Sequence, residues 1–243
     1  MTHTSVTSIK AIVPAAGIGS RMSSNTPKQY LSIGTQTVLE HTLALLISHP
    51  HITQVIVALN PDDKYFKHLP IANHKKIKCI DGGSERVDSV LNGLETIVDD
   101  QWVMVHDAAR PCLTHQDINK LLEVINDKND SAMGYQYDGA ILAKPAIDTM
   151  KQTHSSAPVI QTTVDRETLW HALTPQLFNA VSLKEAIKSA QQANKMITDE
   201  ASAMEYAGYR VKLVSGSTCN IKITLPEDLA LAEFFLKQQG RIS

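Results

Sequence analysis

Ile9-Lys10-Ala11-Ile12-Val13-Pro14-Ala15-Ala16-Gly17-Ile18-Gly19-Ser20-Arg21-Met22 sets a short apolar run against a loop of small residues. The run has the length of a buried strand, and Pro14 with the small residues behind it marks a loop. Small side chains let the backbone approach an anion closely, so that N–H groups can point at phosphate oxygens, while Arg21 and, further on, Lys28 bring positive charge. Two common phosphate loops do not match this one. The dinucleotide pattern G-x-G-x-x-G needs glycine where Met22 stands, and the P-loop needs Gly-Lys-Ser/Thr after four intervening residues. The same residues also suit a turn between strand and helix that binds nothing, so the loop alone leaves both readings open.

Working outward, residues 54–59, 77–80 and 102–106 have strand length and are separated by helical patterns, which predicts successive βα units and a mostly parallel central sheet flanked by helices. Thr37 precedes a helix over 38–47, Ser84 opens one over 85–97, and Thr114 to Asp117 resembles a capping box. Asn60-Pro61-Asp62 predicts a short helix. From Gly139 the rhythm changes: 140–150 and 157–164 read as extended stretches around a polar turn at 152–156, a hairpin inserted into the α/β pattern. Helices resume at 179–192 and at 199–206, the latter opened by Thr198 and stopped by Gly208. Strands at 210–214 and 220–224 follow, and Pro226 starts a last helix. The chain reads as one domain over 1–243, with an arm at about 140–165.

Composition narrows the class. Of 243 residues, 43% are apolar and 20% charged, a globular balance rather than a disordered or fibrous one. A formal net charge of −2 argues against nucleic-acid binding by bulk electrostatics, so an anionic ligand would be gripped by local charge. Cys79, Cys112 and Cys219 form no C-x-x-C pair, and His41, His49, His51 and His171 are scattered, so neither a zinc site nor a disulfide framework is expected. No signal peptide or membrane-spanning stretch is read, which predicts a cytoplasmic protein.

Two further segments, and a set of shorter ones downstream, are candidates to carry chemistry. Val105-His106-Asp107-Ala108-Ala109-Arg110-Pro111 ends a predicted central strand, where open parallel sheets bind their ligands, so Asp107 is a candidate Mg²⁺ ligand. Its other reading is a turn cap paired with Arg110 at the surface. Asp81-Gly82-Gly83-Ser84-Glu85-Arg86, with Asp88 and Ser89, is a second glycine turn opening a helix, suited to backbone N–H and hydroxyl contacts with a nucleotide or simply to capping. Downstream, Asp148-Thr149, Val164-Asp165-Arg166, Thr174-Pro175-Gln176, Thr198-Asp199-Glu200 and Asn220-Ile221-Lys222 suit caps, exposed ion pairs or a solvated strand lysine, and spacing alone does not select them. Trp102 and Trp170 read as core.

Taken together, these segments resemble the 2-C-methyl-D-erythritol 4-phosphate cytidylyltransferase family over nearly the whole chain. The resemblance rests on residues 14–21, Pro27-Lys28-Gln29-Tyr30-Leu31, residues 105–111, Trp170-His171-Ala172-Leu173-Thr174-Pro175-Gln176, residues 197–202 and residues 220–228. It implies a Rossmann-like nucleotidyltransferase fold with an extended β-arm for dimerisation. It also implies transfer of a cytidylyl group from CTP to methylerythritol 4-phosphate with a divalent cation such as Mg²⁺. By the same resemblance, Arg21 and Lys28 stabilise the transition state. Arg166 and Lys222 position the acceptor phosphate, and Thr149, Thr174 and Thr198 complete the acceptor site. Pro14, Ala15, Ala16, Gly17, Gly19, Gly83, Ser89, Asp107 and Ala108 contact the cytidine and triphosphate, and Asp107 holds the metal.

The resemblance further implies a homodimer in which the arm lends Thr149 to the partner's acceptor site. Ser84, Cys219 and a lengthened 127–137 segment depart from the family pattern. A pentitol phosphate cytidylyltransferase shares the Pro-Lys-Gln loop and the central Asp. A silent nucleotide-binding module would be expected to lack Arg21, Lys28, Asp107 or Lys222, and an NAD-dependent oxidoreductase to carry glycine at Met22.

Overall fold

The computed structural model describes residues 8–17, 26–98, 100–126, 137–154 and 157–243. A central sheet runs through the described chain in the spatial order β11 (Val211–Ser215), β7 (Gly139–Pro145), β10 (Trp170–Asn179), β6 (Trp102–Val105), β1 (Ile9–Pro14), β4 (Ile52–Leu59), β5 (Ile77–Asp81). Pairing is parallel throughout except at β10, which runs antiparallel to both neighbours. Sequence periodicity missed this strand, because Pro175 and two polar residues interrupt its apolar pattern.

Alternation of side chains along the strands divides the core into two layers. Ile9, Ala11 and Val13 of β1 pack with Val55, Val57 and Met104 against α1 (Val38–Ser48) and α3 (His115–Asn126). Ile12, Ile56, Val103 and Val105 face the other way, onto α2 (Arg86–Glu95), α4 (Ala180–Gln192) and α5 (Glu200–Tyr206). A sheet buried on both faces explains why its strands read as nearly continuous apolar runs. The last helix, α6 (Glu227–Gln238), closes a smaller cluster in which Ala232 and Leu236 meet Ile33, Val38 and Ile223.

Most predicted helix ends are found. Thr37 and Glu40 form a reciprocal capping box on α1, and Thr114 exchanges hydrogen bonds with Asp117 before α3. Five local expectations are corrected. Asn60-Pro61-Asp62 makes a turn, with Asn60 Oδ1 accepting from the Asp62 N–H, and only 3-10 turns follow. Glu85, not Ser84, caps α2, and Asp199, not Thr198, caps α5, each in a reciprocal box with the residue three places on. Residues 220–224 form no strand, and the Ile223 N–H instead donates to the Ala109 carbonyl (2.8 Å). Trp170 is 41% exposed rather than core.

The arm also differs in extent. Residues 139–145 belong to the main sheet, and the projecting hairpin consists of β8 (Met150–His154) and β9 (Ala157–Val164), paired only with each other among the described residues. Every residue of β8 is exposed, as are Val159 and Ile160 of β9. No described helix is long and apolar enough to cross a membrane.

Candidate functional site

The carboxyl ends of β1, β5 and β6 open onto one pocket. It is lined by residues 14–17, Lys28, Gln29, residues 83–86, Ser89, residues 107–109 and Lys222. Five separate stretches of sequence thus meet where an open parallel sheet binds its ligand.

Local chemistry shapes each wall. After β1, the chain is pinned by Gln29, a buried side chain whose Nε2 donates to the carbonyls of Ala15 (2.9 Å) and Gly17 (3.0 Å). Both amide hydrogens are used, so the loop backbone is fixed from below while its small side chains leave the pocket open. Opposite it, the turn after β5 comes so close that a Cβ on Gly82 would lie 2.5 Å from Ala16 Cβ, and one on Gly83 would lie 2.1 Å from Asp88 Cβ. Ser89 stabilises that turn, accepting from the Gly83 N–H (3.0 Å) and donating to the Glu85 carbonyl (3.3 Å). Its hydroxyl proton is therefore committed, and what it offers the pocket is acceptor capacity.

Asp107, two residues beyond the end of β6, is the electrostatic centre. Its Oδ1 accepts from Arg86 Nε at 3.0 Å, and its Oδ2 lies 3.0 Å from Lys222 Nζ and 3.4 Å from Arg110 Nε. Burial alone would raise its pKa, but Arg86, Lys222 and Arg110 overcome that and hold it well below the usual carboxylate range. The carboxylate is thus ionised at every physiological pH. Arg86 divides its guanidinium: Nη1 and Nη2 fork onto Glu200 at 2.6 and 3.1 Å, leaving Nε for Asp107. Glu200 is 2% exposed, and although burial pushes its pKa up, the Arg86 fork opposes that shift.

Beneath Asp107 a buried chain of hydrogen bonds fixes the loop. The Asp107 N–H donates to Thr174 Oγ1 (3.1 Å), which lies 3.0 Å from His106 Nδ1. His106 Nε2 sits 3.1 Å from the Arg110 carbonyl, an obligate acceptor, so the imidazole proton is on Nε2 and the Thr174 hydroxyl donates to Nδ1. Burial lowers the His106 pKa to about 4, which keeps it in this neutral form. Asn220 completes the brace, donating from Nδ2 to the Thr174 carbonyl (2.7 Å) and accepting Arg110 Nη1 at its own carbonyl (2.8 Å).

Of the residues singled out in the sequence, Pro14, Ala15, Ala16, Gly17, Lys28, Gly83, Ser89, Asp107, Ala108 and Lys222 are brought together in the pocket. Lys28 Nζ donates to the Ile223 carbonyl at 2.9 Å, which places it beside the Lys222 segment. Gly19 and Arg21 lie outside the described residues. Thr174 is adjacent but buried, its hydroxyl engaged as above. Thr198 is exposed at the start of α5. Thr149 and Arg166 sit at the base of the arm, exposed and apart from the pocket within one chain, with Arg166 Nη1 donating to the Ile147 carbonyl.

The reading of Asp107 as a surface cap is corrected by its burial and its three cationic partners. Gln29, Arg86 and Glu200 stand within segments quoted from the sequence but were given no role in the site. Arg86 carried a legible signal: a cation in the first turn of a helix is disfavoured by the helix dipole and implies acidic partners nearby.

A mostly parallel sheet whose strand ends bring small-residue loops, two lysines and one buried carboxylate into a single pocket defines a Rossmann-like nucleotidyltransferase. Comparison with known proteins narrows the class. The family described as "IspD: 2-C-methyl-D-erythritol 4-phosphate cytidylyltransferase" matches residues 9–238, and the chain belongs to that family. The 2-C-methyl-D-erythritol 4-phosphate cytidylyltransferase of Shewanella halifaxensis is 55% identical over 229 residues, covering 94% of this chain and 96% of the relative. That of Cronobacter sakazakii is 52% identical over 226 residues, covering 93% and 92%. The crystal structure of the Francisella tularensis enzyme superposes with a TM-score of 0.76 at 35% identity, covering 95% of this chain and all of that one.

Proposed function

We propose that the chain transfers the cytidylyl group of CTP to the phosphate of 2-C-methyl-D-erythritol 4-phosphate. The products are 4-diphosphocytidyl-2-C-methyl-D-erythritol and pyrophosphate, in non-mevalonate isoprenoid precursor synthesis. The observation that carries this reading is the meeting of Lys28, Asp107 and Lys222 with the two small-residue turns in one pocket. Both reactants are anions, so the task is to hold repelling groups in line and to neutralise the charge that develops as the acceptor oxygen attacks the α-phosphorus. No covalent intermediate on the protein is required.

In this reading, residues 14–17 and 83–89 receive the cytidine and triphosphate through backbone and small side chains. Lys28 offers a point charge to the phosphates with Arg21, and Lys222 meets the acceptor phosphate. Asp107 suits a divalent cation such as Mg²⁺. Among the described residues its Oδ2 accepts from two cations, whereas Oδ1 accepts from Arg86 alone and keeps a lone pair, and Mg²⁺ sites commonly use one carboxylate beside phosphate oxygens and water. When bound, the ion supplies positive charge to the triphosphate and the departing pyrophosphate. Exposure of Val159 (62%) and Ile160 (61%) on the arm supports a homodimer, through which Thr149 and Arg166 reach an acceptor site alongside Thr198, with Thr174 supporting the site from beneath. We place the enzyme in the cytoplasm.

The test is pyrophosphate release from CTP with a panel of acceptor phosphates. Methylerythritol 4-phosphate is expected to be strongly preferred. Equal or faster turnover of ribitol 5-phosphate overturns the substrate assignment, and release with no acceptor dependence overturns the transfer itself.

A further inference from the structure

The division of Arg86 between two carboxylates has a functional reading. Arginine's preferred grip on a carboxylate is bidentate, two parallel N–H bonds to two oxygens. At Asp107 that grip is denied: both terminal nitrogens of Arg86 are held by Glu200 at 2.6 and 3.1 Å, and only Nε reaches Oδ1. Glu200 holds this position firmly, because it is buried at the start of α5, where Asp199 caps the helix and also accepts Gln176 Nε2 at 2.8 Å. We infer that Glu200 is a positioning residue that keeps Arg86 from closing on Asp107, and so leaves an oxygen of Asp107 open to a divalent cation.

This rests on the reading of Asp107 as the metal-binding carboxylate. Without the Glu200 charge, Arg86 is free to turn a terminal nitrogen toward Asp107 and occupy the remaining Oδ1 lone pair. Oδ2 offers no substitute, since Lys222 and Arg110 already hold it. The arrangement also links the turn that opens α2 to helix α5, so the first acidic residue of α5 governs an atom on a loop between them.

Binding of Mn²⁺ to the full chain with CTP and without acceptor, followed by electron paramagnetic resonance, tests the inference without turnover. E200Q is expected to weaken Mn²⁺ binding about tenfold, the equivalent of about 1.4 kcal/mol. E200D, which keeps the charge but is too short to hold both nitrogens, is expected to weaken it by a smaller factor and serves if E200Q fails to fold. The decisive arm is rescue: R86K/E200Q, whose ammonium cannot make a two-point grip, should return Mn²⁺ binding to within about threefold of the parent. A folded E200Q or E200D that binds Mn²⁺ like the parent, or a double variant weaker than E200Q, overturns the inference and leaves Glu200 a structural ion pair. D107A separates the two layers of argument. If it binds Mn²⁺ like the parent, the metal reading of Asp107 falls and this inference with it; if it abolishes binding while E200Q does not, this inference alone falls.

Discussion

Thr174→Val tests whether the loop bearing Asp107 is braced from below as the structure shows. The substitution is nearly isosteric, so packing changes little, but two polar groups lose their partner: the Asp107 N–H at 3.1 Å and His106 Nδ1 at 3.0 Å. Each is buried, and a buried polar group left unpaired costs about 1–3 kcal/mol, so the pair predicts a loss of about 4 kcal/mol. For a chain of this size about 2–4 °C of melting temperature accompanies each kcal/mol, giving a fall of roughly 8–16 °C. Thr174→Ser keeps the hydroxyl and removes one methyl, worth about 1 kcal/mol, and should melt within about 4 °C of the parent. Thermal unfolding followed by circular dichroism reads both. Turnover should also fall in the valine variant, because the backbone beneath Asp107 loosens, while the KM for the acceptor stays within about twofold. If instead Thr174→Val melts with the parent and raises only the acceptor KM, its hydroxyl faces the acceptor phosphate and the brace is refuted.

Three other outcomes follow from the same geometry. Lys28→Ala and Lys222→Ala should each lower kcat by about 100-fold or more, a loss in the range seen when one charge-stabilising group is removed, with melting temperatures near that of the parent. Lys222 has 39% of its side chain exposed, and a collapse in stability with turnover retained would contradict its role. His106, with its pKa lowered to about 4, should make the fold acid-sensitive: below about pH 6.5 the unfolded chain takes up a proton that the folded one refuses. Stability contributed by the neutral ring is complete above about 6.5 and declines by up to roughly 3 kcal/mol as pH falls to about 4. Urea midpoints across that window should show the slope, and His106→Asn should flatten it by about one proton. Val159→Asp on the arm should shift the sedimentation of the protein toward the monomer, and an unchanged sedimentation coefficient argues against dimerisation through this hairpin.

Much of the frame was legible because its causes are local. Runs such as residues 9–13 and 102–105 are apolar because both sheet faces are covered, and Thr37, Thr114 and Pro226 mark helix starts by chemistry that needs no tertiary partner. What escaped was set by distant contacts. β10 exists as a strand because β6 and β7 hold it on either side, not because its own sequence alternates. Residues 220–224 look like a strand in sequence, but Asn220 spends its hydrogen bonds on Thr174 and Arg110 instead of a ladder.

The pocket was half legible in the same way. Lys28, Asp107 and Lys222 could be named as charges in suggestive places, yet that three cations converge on one carboxylate depends on α2, the β6 loop and the 220–224 segment meeting in space. Thr174 was recognised as part of a motif, and only its burial showed which neighbours its hydroxyl serves. Gln29 sat in view beside Lys28 without a role, because the carbonyls it holds lie more than ten residues back along the chain.

β10 also constrains how this chain can diverge. Its first residues pair with the end of β7 at the root of the arm, and a few positions later Thr174 supports Asp107. The β10–β7 ladder shifts register between Ala172 and Gln176, and an insertion between Trp170 and Thr174 would move Thr174 relative to Asp107 and uncouple the brace. The β8–β9 hairpin, paired with nothing but itself among the described residues, has no such register to protect. Variation in arm length among descendants of this sequence should therefore accumulate at its tip, while the spacing from Trp170 to Gln176 stays fixed.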